Sequence, residues 1–95
     1  MSNRRKIVAG NWKMNKDYEQ GRTLAQEIVA KLQPSDTVVV LGTPYIHLKG
    51  VAHIISNINN LHLSAQNCHQ EDGGAYTGEI AASMLKSVGC DFVIL

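Results

Sequence analysis

Ninety-five residues, 44% hydrophobic and 18% charged with a formal net charge of +1, suit one small globular domain and exclude two. A charge so near zero, with no basic stripe, gives no electrostatic grounds for a nucleic-acid partner. The longest apolar runs are four residues, against roughly twenty for a membrane span, so no membrane partner is expected either.

The basic start, Met1 to Lys6, is not followed by an apolar h-region and does not read as a secretory signal. Residues 6–12 then read as a first strand, and 37–42, 61–66 and 91–95 as three more. The second and fourth contain the continuous apolar runs Val-Val-Val-Leu and Phe-Val-Ile-Leu, which suit parallel strands covered on both faces. The third alternates Leu61, Leu63 and Ala65 against His62, Ser64 and Gln66.

The segments between, 13–36, 43–60 and 67–90, are each long enough for a crossover helix. In the first, Gly21, Leu24, Ala25, Ile28, Val29 and Leu32 share a helical face. In the second, Leu48, Val51, Ala52, Ile55 and Ile58 do so, and in the third Ile80, Ala81, Met84, Leu85 and Val88. Asp17 with Gln20 predicts a capping box, Thr43 before Pro44 a second helix start, and Thr77 with Glu79 a third. Gly89 stands where a left-handed C′ residue belongs. The order is β-α-β-α-β-α-β. An open four-strand parallel sheet has two bare edges, so the unit is expected to be part of something larger.

Sites in parallel α/β folds gather beyond the C-terminal strand ends. In Gly10-Asn11-Trp12-Lys13-Met14-Asn15 the first strand runs into an ammonium and a side-chain amide, donors that suit a phosphate ester. A plain solvated turn fits the same local sequence. The segment 67–77 is long for a strand-to-helix loop, and Gly73, Gly74 and Tyr76 mark it for partner contact ahead of phosphate binding. It carries neither P-loop nor dinucleotide spacing.

His47, His53, His62 and His69 form no H-E-x-x-H pattern and read as surface or helix-packing imidazoles, with His47 and His53 opposite the apolar stripes of their segments. Cys68 and Cys90 fit neither a disulfide framework nor a metal pair, so no metal is expected and a reducing, cytoplasmic setting is the default. Trp12, Met14 and Met84 read as packing residues rather than cofactor contacts.

Three pieces resemble the triosephosphate isomerase family. They are Val8-Ala9-Gly10-Asn11-Trp12-Lys13-Met14-Asn15, then Ala65-Gln66-Asn67-Cys68 with Gly74-Ala75-Tyr76-Thr77-Gly78-Glu79-Ile80, and Gly89-Cys90-Asp91-Phe92-Val93-Ile94-Leu95. The resemblance implies an α/β fold, a partial (β/α)₈ TIM barrel with four parallel strands and three helices. Residues 1–95 would be the N-terminal part of a single barrel domain, its first three βα units plus the fourth strand.

The implied reaction interconverts dihydroxyacetone phosphate and glyceraldehyde 3-phosphate by proton transfer through an enediol, in glycolysis and gluconeogenesis. The family is itself a standard worked case of this chemistry, with a glutamate base, a neutral histidine electrophile and a closing lid. By resemblance, Asn11 and Lys13 bind substrate, Lys13 as electrostatic stabiliser, and no cofactor is needed. The loop 66–79 would reach into a second subunit, so that Met14, Tyr76, Thr77, Gly78 and Glu79 belong to a homodimer interface and Thr77 braces the neighbour's catalytic loop. The histidine and glutamate of the family have no counterpart in these residues, so the isolated chain is expected to be inactive. The competing expectation is a non-catalytic fragment or interaction module that pairs through its strand edges and the 67–77 loop.

Overall fold

The computed structural model describes residues 4–95; positions 1–3 of the basic start lie outside the described residues. The chain runs β1 (Ile7–Asn11), α1 (Tyr18–Lys31), β2 (Val38–Thr43), a 3₁₀ turn (Tyr45–His47), α2 (Leu48–Ile55), β3 (Leu61–Ala65), α3 (Ala82–Ser87) and β4 (Phe92–Val93). The strands form one sheet in the order β1-β2-β3-β4, every pair parallel. Each crossover joins sequence neighbours, and the right-handed sense of such connections stacks the helices on one face. This is the α/β arrangement expected, consistent with part of a (β/α)₈ barrel.

Register and alternation sort the side chains. Val39 pairs with Leu61 and Leu41 with Leu63. Leu41, Leu61, Leu63 and Ala65 then join Ala25 of α1, Val51 and Ile55 of α2 and Leu85 of α3 in one core. Leu63 and Ala65 are fully shielded. Burying a leucine of this kind contributes about 2 kcal/mol. The predicted alternation of β3 is therefore seen, with its apolar set turned to the helices.

The opposite face is covered at its centre, where Val38, Val40 and Ser64 are buried, and bare toward its edges. Ile7 is 63% exposed on β1, and beside β4 Ile94 is 38% exposed. The continuous apolar run of β2 is buried as expected, whereas Phe92 of β4 is exposed because that strand is an edge with nothing over its free side. β4 has only two residues in regular pairing, but Asp91 N–H to Leu63 O and Ile94 N–H to Ala65 O, both 2.9 Å, prolong its attachment to β3.

The capping box forms as predicted. Asp17 Oδ1 accepts from Gln20 N–H at 2.9 Å, and Gln20 Oε1 accepts from Asp17 N–H at 3.0 Å. Gly89 adopts φ +94°, the left-handed ending anticipated for it.

The two threonine caps do not form. Thr43 is fully buried as the last residue of β2, and its hydroxyl donates to Pro44 O at 3.0 Å. Thr77 precedes Gly78 at φ +89°, and the chain then stays extended through a bridge between His69 and Ala81, so α3 starts only at Ala82. Ile58 lies past the end of α2, and Met84 is half exposed on α3 rather than on its buried stripe.

Candidate functional site: the carboxyl ends of the first three strands

The side-chain alternation that buries Val39 and Leu41 against the helices turns Ile7, Ala9 and Asn11 of β1 to the opposite face, in line with Val38, Val40 and Gly42 of β2. Asn11 is the last residue of β1, and the chain then breaks into a tight turn. Asn11 Oδ1 accepts from Lys13 N–H at 2.8 Å, which closes an Asx turn. Asn15 Nδ2 donates to Trp12 O at 2.9 Å. Within this turn Lys13 and Lys16 have φ of +56° and +77°. A left-handed conformation costs a non-glycine residue about 1–2 kcal/mol, so neighbouring groups must hold it.

Gln66, the first residue past β3, is one of those groups. Its Nε2 lies 3.0 Å from Lys13 O, 3.0 Å from Gly42 O and 3.3 Å from Asn11 Oδ1. All three partners are acceptors, so the amide nitrogen must face them, and its two hydrogens serve three oxygens. One side chain thereby ties together the carboxyl ends of β1, β2 and β3. Gly42 leaves room for Ile94, whose Cδ1 would lie 3.1 Å from a Cβ there.

Lys13 itself is exposed, and among the described residues no ion pair includes it. A turn fixed by these bonds thus carries Lys13, exposed, beside Asn11 at the carboxyl ends of the strands. That arrangement can hold an anionic oxygen-rich group. Asn11 and Lys13 both lie at the end of β1, joined through the Lys13 N–H. Met14, at the tip of the turn, is 94% exposed and joins no part of the core among the described residues, contrary to the packing reading, while Trp12 does pack against the core.

The 67–79 loop stands out from the body, with residues 70–79 all exposed. Tyr76, Thr77, Gly78 and Glu79 lie together at its returning end, where Glu79 N–H donates to Tyr76 O at 3.0 Å. His69 anchors the loop at its base. Its ring centroid is 4.4 Å from that of Tyr76, and its Nδ1 is 3.5 Å from Glu79 Oε2. Tyr45 adjoins this base; burial, then the nearby Cys68 and Glu79, push its phenol up from the ordinary value. His62 serves the far strand instead, with Nδ1 donating to Asp91 Oδ2 at 3.0 Å.

A sequence model of triosephosphate isomerase matches residues 6–95. The chain belongs to the triosephosphate isomerase family. It is 47% identical to the triosephosphate isomerase of Cytophaga hutchinsonii over 95 residues, 44% to that of Porphyromonas gingivalis over 94, and 47% to that of Flavobacterium psychrophilum over 94. Each comparison covers 97% of this chain and 37% of the relative, so the chain spans a little over a third of the length of these relatives.

Two residues at the site were missed by the sequence reading. Gln66 lay inside a matched motif but was read only as the start of the loop reaching toward a second subunit. Its signal was a long amide two positions after Ser64, on the face away from the helices at a strand end. His47 was placed away from the apolar stripe; it is buried, because the 3₁₀ turn before α2 rotates it inward against Gly21. A glycine on the inner face of α1 was the available signal, since such a gap demands a large neighbour. His53, by contrast, is exposed on α2 as expected.

Proposed function

We propose that residues 1–95 are the N-terminal part of a single barrel domain, and that the whole protein interconverts dihydroxyacetone phosphate and glyceraldehyde 3-phosphate through an enediol. Lys13 receives the negative oxygens of the triose phosphate and stabilises charge that develops on the substrate, and Asn11 adds its amide donor from the same mouth. The observation that supports this most is the exposed, unpaired Lys13 in a left-handed turn tied by Asn11 and Gln66. Family membership supplies the reaction.

Proton transfer needs a base within hydrogen-bond reach of the substrate carbon. The family's histidine and glutamate have no counterpart here, so these residues by themselves hold the anion side of the site and do not turn over substrate. Met14, Tyr76, Thr77, Gly78 and Glu79 form the contact surface of a homodimer, and the protein works in the cytoplasm without a cofactor. No helix among the described residues is long and apolar enough to cross a membrane.

A coupled isomerase assay on the whole protein tests this reading. Turnover should fall by a factor of about 10² or more in Lys13→Ala, the scale of losing one preorganised charge partner. Unchanged turnover would defeat the assignment of Lys13.

A second reading keeps its place because apolar residues at the two edges of the sheet are uncovered, Ile7 at one and Phe92 at the other. On that reading the chain is an interaction module that pairs by its strand edges and the 67–77 loop. Mixing it with the remainder of a family member, and finding no gain in compactness or activity, would count against it.

A further inference from the structure

Gln66 grips the Lys13 turn from one side; the other side is gripped from the 3₁₀ turn that follows β2. His47 is 1% exposed, and its Nε2 lies 2.9 Å from Lys16 O. A carbonyl oxygen can only accept, so Nε2 carries the hydrogen and donates it. The same ring stands edge-on to Trp12, with centroids 5.4 Å apart and planes at 62°. Trp12 immediately precedes Lys13, and Lys16 carries the second left-handed φ of the turn. One imidazole therefore fixes both ends of the segment that presents Lys13.

The ring has no freedom to withdraw. A Cβ built on Gly21 would sit 2.3 Å from His47 Nδ1 and 2.5 Å from Cε1, so α1 closes directly on its far edge. On its outer flank the turn borders a depression of about 450 Å³ lined by Trp12, Asn15, Lys16, Gln20 and Leu24, open among the described residues. Among the described residues, the His47 contacts and the Gln66 bond hold the turn to the rest of the fold.

We propose that His47 is a positioning residue for Lys13: its Nε2–H bond to the Lys16 carbonyl and its contact with Trp12 keep the 12–17 turn in the conformation that offers the ammonium to an anion. A packing role alone would need only the volume of the ring. The positioning role needs the donor at Nε2, and the two are separable by substitution. The proposal rests on Lys13 as the anion-binding group but is read out by a measurement that does not depend on isomerase turnover.

The test uses the whole protein and three variants, His47→Leu, His47→Gln and, as a control, His53→Gln on the exposed side of α2. Amide hydrogen exchange across 13–17 and steady-state kinetics with glyceraldehyde 3-phosphate are measured for each. His47→Leu should speed exchange in that segment by about tenfold and lower kcat/KM by a similar factor, since small misplacements of a binding group carry losses of this order. His47→Gln, which restores a donor, should recover most of both, and the control should match the parent. Exchange and kinetics within about twofold of the parent in a folded His47→Leu would overturn the proposal. So would a folded His47→Gln no better than His47→Leu.

If His47→Leu does not fold, His47→Gln and the ring of the unmodified protein decide. Nitrogen NMR should show hydrogen on Nε2 of His47, and hydrogen on Nδ1 alone would overturn the proposal. A parent with no turnover but with the protected turn and the Nε2–H signal would remove the isomerase reading and leave the clamp standing.

Discussion

The side-chain amide of Gln66 lies 3.0 Å from the carbonyl oxygen of Lys13, fifty-three residues earlier in the chain. That bond and its companion to Gly42 O are what make three separate strands end in one shaped mouth. Gln66→Ala leaves Lys13 O and Gly42 O without this donor, although Gly42 O keeps its bond from Trp12 N–H at 2.9 Å. The expected loss is about 0.5–1.5 kcal/mol in urea unfolding, the net range for an intramolecular hydrogen bond. Gln66→Glu should be worse, because a carboxylate facing carbonyl oxygens is repelled, and the deficit should shrink at acidic pH as that carboxylate protonates.

Gly21→Ala tests the closeness of α1 to His47. The added methyl would overlap the imidazole, whose neighbours give it no room. Helix propensity favours alanine by about 1 kcal/mol. Overlap of this size outweighs that gain, so unfolding measurements should show net destabilisation. A stabilised variant would mean that the ring can move aside.

Lys13→Gly separates stability from function. Glycine adopts the φ of +56° without the steric penalty that lysine bears. Part of that relief, about 0.4–1 kcal/mol, is returned through the greater freedom of the unfolded chain. The variant should unfold at an equal or slightly higher urea concentration than the parent, while anion binding measured by isothermal titration with inorganic phosphate disappears.

Asp17→Ala removes one arm of the capping box. About 1 kcal/mol of stability should go with it. Asp17→Asn retains an acceptor oxygen and should recover most of the loss in the same urea titration.

Alkaline pH should weaken the fold through Cys90 and Tyr45. Burial is the leading cause that pushes both groups up from their ordinary values. As pH rises, the unfolded chain gives up these protons first, at about 8.5 for a thiol and about 10 for a phenol. Above that point the folded state binds more protons, so stability falls with increasing pH. Their contribution is complete below the ordinary values and is lost as pH climbs through the raised ones. Urea midpoints between pH 7 and pH 10 should therefore decline, and Cys90→Ala should flatten the first part of the decline.

Local pattern carried most of the architecture. The alternation of Leu61, Leu63 and Ala65 against His62 and Ser64 fixed which face of β3 meets the helices, and the structure agrees. Asp17 and Gln20 marked the start of α1, because a capping box closes within four residues and needs nothing from the rest of the fold. The place of Asn11 and Lys13 at the end of β1 was legible too.

Signals of the same local kind failed where distant packing outweighed them. Thr43 had the right neighbours for a helix cap, but pairing with Ala65 of β3 keeps it in a strand, and its hydroxyl turns to Pro44 O. Thr77 was displaced as a cap by the bridge between His69 and Ala81, which holds the intervening chain in the loop.

The sequence by itself determined the order of strands and helices, the core face of β3 and the location of the turn after β1, since periodicity and end chemistry act over a few residues. Only the tertiary structure decided how that turn is held. Gln66 reaches Lys13 across the ends of three strands, and His47 reaches Lys16 across thirty-one residues from a buried position. No periodicity links partners so far apart, and their bonds exist only once β1, β2 and β3 pair in register.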